Sequence, residues 1–72
     1  MKANNVVKTI MSNKSITQAD LVPMLNLKSQ SAVCGALGRD MKISTLVKFL
    51  NCLGCELIVR DTATGEEHRI TE

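Results

Sequence analysis

From Val6 to Leu53 the apolar residues recur three and four positions apart, and beyond Gly54 they recur at every second position. That change of period constrains the fold more than any other feature of the chain. It predicts a helical body followed by a short extended segment. The apolar residues, 44% of the total, are almost wholly aliphatic, because Phe49 is the single aromatic. A β-sandwich normally carries more aromatics and turn signals, so a helical core is expected. Seventy-two residues make one small domain at most. Such a chain buries only about 60% of the surface its unfolded form exposes, and domains of this size often gain from a disulfide, a metal or a second copy.

The helices follow from the spacing. Val6, Val7, Ile10 and Met11 form one face of a first helix over Asn4–Met11, and Ser12–Ser15 is a turn cluster. Thr17 with Asp20 three residues on makes a near capping box for a second helix, which buries Leu21, Val22 and Leu25. Pro23 falls inside that helix and removes one backbone bond, so the helix is expected to be short and bent. Asn26 tolerates the left-handed backbone that ends helices. A third helix starts at Lys28 or Ser29, turns Val33 and Leu37 inward, and ends at Gly38. A fourth runs from Ile43 with Leu46, Val47, Phe49, Leu50 and Leu53, and stops at Gly54. Cys55–Asp61 then reads as a strand, Thr62–Gly65 as a hairpin loop and Glu66–Ile70 as a returning strand. The chain therefore divides into a helical domain, 1–54, and a C-terminal β-hairpin, 55–72.

Charge follows the same division. Residues 1–55 hold seven bases against two acids, a balance of +5, and residues 56–72 hold two bases against five acids, a balance of −3. The basic part could face a polyanion while the acidic end points away; the plain alternative is a solvated, mixed surface. The longest apolar run is far short of the roughly 18 residues a membrane helix needs, and no signal-peptide pattern opens the chain. Three cysteines, Cys34, Cys52 and Cys55, leave one over after any pairing, which suits reduced thiols. A soluble, cytoplasmic protein is expected. Cys52-Leu53-Gly54-Cys55 is a C-x-x-C, but a structural zinc site needs four ligands, and Cys34 and His68 would have to come from distant segments. Buried, inert thiols are the simpler expectation, with no metal and no cofactor. One histidine, no glycine-rich phosphate loop and no nucleophile with a base leave nothing to catalyse a reaction, so no enzyme is expected.

Function rests on Leu25–Gly38, LNLKSQSAVCGALG, where Lys-Ser-Gln-Ser is followed by small residues, with no acid and no aromatic. Two short helices separated by a turn, the second opening on Ser-Gln-Ser, is the layout of a helix-turn-helix. A helix entering a DNA major groove about 12 Å wide meets base edges with the side chains near its N-terminus. Gln30 suits paired hydrogen bonds to adenine, and Ser29 and Ser31 suit bases or phosphates. Ala32, Gly35 and Ala36 permit close approach.

At these residues the chain resembles the phage-repressor and Cro-like helix-turn-helix family. The likeness runs through QADLVPMLNLKSQSAV, residues 18–33, and ISTLVKFLNCLG, residues 43–54. Gln18 and Leu21 match the family's Gln-x-x-Leu, and Leu25-Asn26-Leu27 its turn, with Asn in place of Gly. The resemblance implies a mainly α fold: a four-helix, lambda-repressor-like helix-turn-helix domain with a C-terminal β-hairpin. It also implies a homodimeric, sequence-specific regulator of transcription on an inverted-repeat operator, a prophage repressor or an antitoxin. The DNA-binding residues it implies are Thr17, Gln18, Lys28, Ser29, Gln30, Ser31, Cys34, Arg39 and Lys42. LGCELIVRD further resembles small antitoxins of this family whose C-terminal strands pair across a dimer, which points to Leu57, Ile58 and Val59 as the interface. The chain departs from the pattern at Val22 and Pro23. It also carries Cys34, Gly35 and Ala36 where relatives often have Arg, Lys or Asn. That weak charge favours the alternative: a protein-binding module on the same scaffold, docking a toxin, a nuclease or another regulator. Gln30 and Ser31 would then be a solvated helix start, and the hairpin could instead fold back on its own helices.

Overall fold

The computed structural model describes residues 2–71, and the chain folds in the order α1 (Ala3–Asn13), α2 (Gln18–Met24), α3 (Gln30–Leu37), α4 (Ile43–Cys52), β1 (Leu57–Arg60) and β2 (Glu67–Ile70). The architecture is mainly helical with one two-stranded antiparallel sheet at the C-terminus. No helix among the described residues is long and apolar enough to cross a membrane.

The helices meet in one aliphatic core. Val7 and Met11 of α1, Leu21 of α2, Val33 and Leu37 of α3, and Phe49, Leu50 and Leu53 of α4 and its end are buried together. Leu21, Leu37, Val7 and Val33 are the most completely enclosed. Each comes from the apolar stripe that the spacing marked, so one face of every helix is removed from water, at roughly 1.5–3 kcal/mol for each large side chain. Val22 and Leu25, expected on the buried face of α2, are only half-buried, and Ile43 is 60% exposed.

Three helices end in the same way. Ser15 (φ 56°), Asn26 (φ 56°) and Gly54 (φ 73°) adopt the left-handed conformation just past α1, α2 and α4. The next amide then reaches back to the last turn: Ile16 to the Met11 carbonyl (2.9 Å), Leu27 to Val22 (2.9 Å) and Cys55 to Leu50 (2.8 Å). These are Schellman caps, and each delivers an apolar or thiol side chain onto the core. Pro23 falls in the last turn of α2, where it forfeits its own bond to the Ala19 carbonyl but leaves the cap intact: Leu25 donates to Leu21 (2.9 Å) and Asn26 to the Pro23 carbonyl (3.2 Å). Gly38 also closes its helix, but in the right-handed region at φ −85°.

Past Gly54 the chain forms the hairpin, with Leu57 opposite Ile70, Ile58 opposite Arg69, Val59 opposite His68 and Arg60 opposite Glu67. The strands are shorter than expected, because Cys55 is committed to the α4 cap and Asp61 opens the loop, its amide donating to the Glu66 carbonyl at 2.8 Å. Leu57 packs against the helical core, whereas Ile58 and Val59 are 44% and 52% exposed. The hairpin stands off the body. The molecule measures 43 × 23 × 21 Å with a radius of gyration of 13.0 Å, against about 11 Å for a compact chain of this length.

Candidate nucleic-acid interface

The α2–α3 pair carries most of the residues singled out from the sequence. Thr17 caps α2: its hydroxyl accepts from the Asp20 amide at 3.2 Å, and the Asp20 carboxylate accepts from the Thr17 amide at 2.9 Å. The Thr17 amide, and then its hydroxyl, hold the Asp20 carboxyl below its usual value of 3.8. The cap fixes the start of α2, with Gln18, half-buried, as its first residue.

The turn runs from Leu25 to Ser29 and is longer than expected, because α3 begins at Gln30 rather than at Lys28 or Ser29. Ser29 is the extended N-cap (φ −159°, ψ 162°), and its side chain makes no capping hydrogen bond. Lys28, Ser29, Gln30 and Ser31 at the start of α3 are all exposed, while Val33 and Leu37 further along it are fully buried. The helix is thus anchored by two aliphatic residues and offers its polar tip to solvent. Its outer surface continues with exposed Ala32, Cys34 and Gly35, and a Cβ built on Gly35 meets nothing within 4 Å. Nothing among the described residues requires glycine there. α3 contains no charged residue.

Charge lies beside the helix. Two adjoining clefts of about 480 and 370 Å³ run between α3 and α4 and share Ala36, Arg39 and Thr45. The first is completed by Asp40, Met41 and Lys42, the second by Leu25, Leu27, Ala32, Lys48 and Phe49. Arg39 and Lys42 were singled out from the sequence. Lys48 and Thr45 were not, because their place depends on how α4 packs on α3. The three-residue spacing along α4 could have flagged them as polar positions at i+3 and i+6 from Lys42.

The ion pairs of the described residues lie in the hairpin: Arg60 with Glu67 (3.1 Å), Arg69 with Glu56 (3.3 Å) and His68 beside Glu66 (3.4 Å). Of the three residues expected at a dimer interface, Ile58 and Val59 are exposed, and Leu57 is half-buried on its own core. Cys52 and Cys55 are half-buried rather than buried, because the α4 cap leaves one side of each toward solvent. The Cys52 thiol donates to the Met24 carbonyl at 3.3 Å, tying α4 to the end of α2. Among the described residues no three His, Cys, Asp or Glu side chains gather as metal ligands would.

Fold and site together define a small, mainly helical protein that presents a polar, uncharged helix tip beside a basic groove. No family model, curated protein or solved structure matches the chain.

Proposed function

We propose that this protein is a sequence-specific DNA-binding regulator of transcription, acting as a homodimer, with α2 and α3 as its helix-turn-helix. The observation that carries this reading is the division of α3 along its length: Val33 and Leu37 are sealed in the core while Ser29, Gln30 and Ser31 at its N-terminal tip are exposed. In the groove, Gln30 reads a base edge, the serines take bases or phosphates, and Gly35 lets the helix lie close. Gln18 and Lys28, with Arg39 and Lys42 past α3, hold the phosphate backbone. A prophage repressor or an antitoxin of the Cro-like family is the setting, and no catalysis is involved.

The hairpin supports the dimer. Alternation from the Asp61–Glu66 hydrogen bond turns the outward backbone groups of β1 to Ile58 and Arg60, and those of β2 to Glu67 and Arg69. Charges at both outward positions, Glu67 and Arg69, blunt the β2 edge, whereas β1 has one charge, Arg60, and an exposed Ile58 at its outward positions. A lone two-stranded hairpin is marginal in water, and joining β1 to β1 of a second copy makes four strands.

The test is fluorescence anisotropy on DNA from upstream of the protein's own coding region. Wild type binds with salt-sensitive affinity, and Gln30→Ala loses roughly 1–3 kcal/mol and relaxes sequence preference. Absence of binding at low salt refutes the reading. The second reading, a protein-binding module, is favoured by one observation, the uncharged outer surface of α3. In that case Gln30→Ala leaves capture of the protein partner intact while DNA affinity is negligible throughout.

A further inference from the structure

The uncharged recognition helix poses a problem that the groove beside it answers. Neutralising phosphates supplies most of the non-specific part of protein–DNA affinity, and each neutralised phosphate adds about 0.9 to the salt slope. α3 brings no charge to that task. Arg39, Lys42 and Lys48 line the two adjoining clefts along α4, and none of them is among the ion pairs of the described residues. Asp40 is the single acid in the lining, so the groove keeps a net positive charge.

We infer that the α3–α4 groove seats the DNA phosphate backbone, with Lys48 and Thr45 extending a contact that begins at Arg39 and Lys42. This deepens the DNA-binding reading and rests on it. Lys42, Thr45 and Lys48 follow one another at intervals of three along α4 and its N-cap, so they form one ridge on that helix. The Lys42 side chain makes no capping hydrogen bond, so it leaves the first-turn amides of α4 free to face the same anion. The Thr45 hydroxyl is a hydrogen-bond partner for a phosphate oxygen, and the Lys48 ammonium is a mobile point charge that needs no fixed geometry. Leu25, Leu27 and Phe49 form an apolar wall behind these groups, which lowers screening at the contact. The groove contributes affinity without reading sequence, and Gln30 at the tip of α3 contributes sequence without affinity from charge.

The experiment measures DNA affinity against potassium chloride concentration for wild type, Lys48→Ala, Lys42→Ala and, as a control, Lys14→Ala at the end of α1, each checked by circular dichroism for an unchanged melting curve. The expected result is a salt slope lower by about 1 per protomer for Lys48→Ala and Lys42→Ala, with sequence preference unchanged and Lys14→Ala matching wild type. A Lys48→Ala slope equal to wild type, with DNA binding intact, overturns the groove contact alone and leaves the helix-turn-helix reading standing. No DNA binding by wild type at low salt overturns both. Capture of an acidic protein partner that is lost in Lys48→Ala while the DNA salt slope is retained likewise overturns the phosphate assignment.

Discussion

The side-chain amide of Asn4 donates a 3.0 Å hydrogen bond to the carbonyl of Leu37, joining the first turn of α1 to the last residue of α3 across 33 positions. The last carbonyls of a helix have no partner within it, so this bond satisfies one that would otherwise be stranded beside the core. The Asn4 Oδ1, by contrast, is buried without a partner, so the contact is worth less than a fully satisfied amide. Asn4→Ala is expected to lower stability by about 1 kcal/mol in urea denaturation. Asn4→Asp, which sets an acceptor against the Leu37 carbonyl, is expected to lower it further.

The α2 cap gives a pH prediction. The carboxyl of Asp20 titrates below 3.8 when folded. A group whose pKa is depressed by folding contributes stability that is fully present above its unfolded pKa and is lost as pH falls through its folded pKa. Acid unfolding of wild type therefore includes a loss below pH 3.8 that Asp20→Ala does not show. Thr17→Ala removes the N-cap and costs about 1 kcal/mol at neutral pH. Thermal melts between pH 2 and 7 measure both.

Gly35 separates stability from function. Glycine inside a helix is less stable than alanine by roughly 0.5–1 kcal/mol. A Cβ at this position meets nothing within 4 Å among the described residues. Gly35→Ala is therefore expected to raise the melting temperature and at the same time weaken DNA binding, because the added methyl intrudes only on what lies against α3. A stabilised variant with unchanged affinity would place DNA elsewhere.

The hairpin edges differ in what proline does to them. Ile58→Pro removes an outward amide of β1 and leaves the hairpin's own ladder intact, and Arg69→Pro does the same for β2. Sedimentation equilibrium is expected to show Ile58→Pro as a monomer and Arg69→Pro as a dimer. The reverse order would move the two-fold axis to β2.

Much of this architecture is legible before any coordinates. The change of period at Gly54, the Thr17–Asp20 pair and the inward Val33 and Leu37 all announce themselves through local spacing, and the structure keeps them. What is not legible depends on distance or on context. Ser15 gives no hint that it will adopt φ 56°, since serine is no specialist in that region and the Schellman bonds of Ile16 and Ser15 impose it. Asn4 meets Leu37 only once α1 crosses α3. Lys48 reads as an ordinary solvated position until α4 is laid beside α3. The start of α3 shifts to Gln30 because Ser29 is taken as an extended cap, a choice that local propensity does not decide.

The most direct test is an NMR titration of isotope-labelled protein with the upstream duplex, following backbone amides. Perturbations concentrated at Gln30, Ser31, Cys34 and Gly35, and small around the hairpin loop at Thr62–Gly65, are the expected result. Perturbations confined to the hairpin, with the amides of α3 unmoved at saturating DNA, would contradict it.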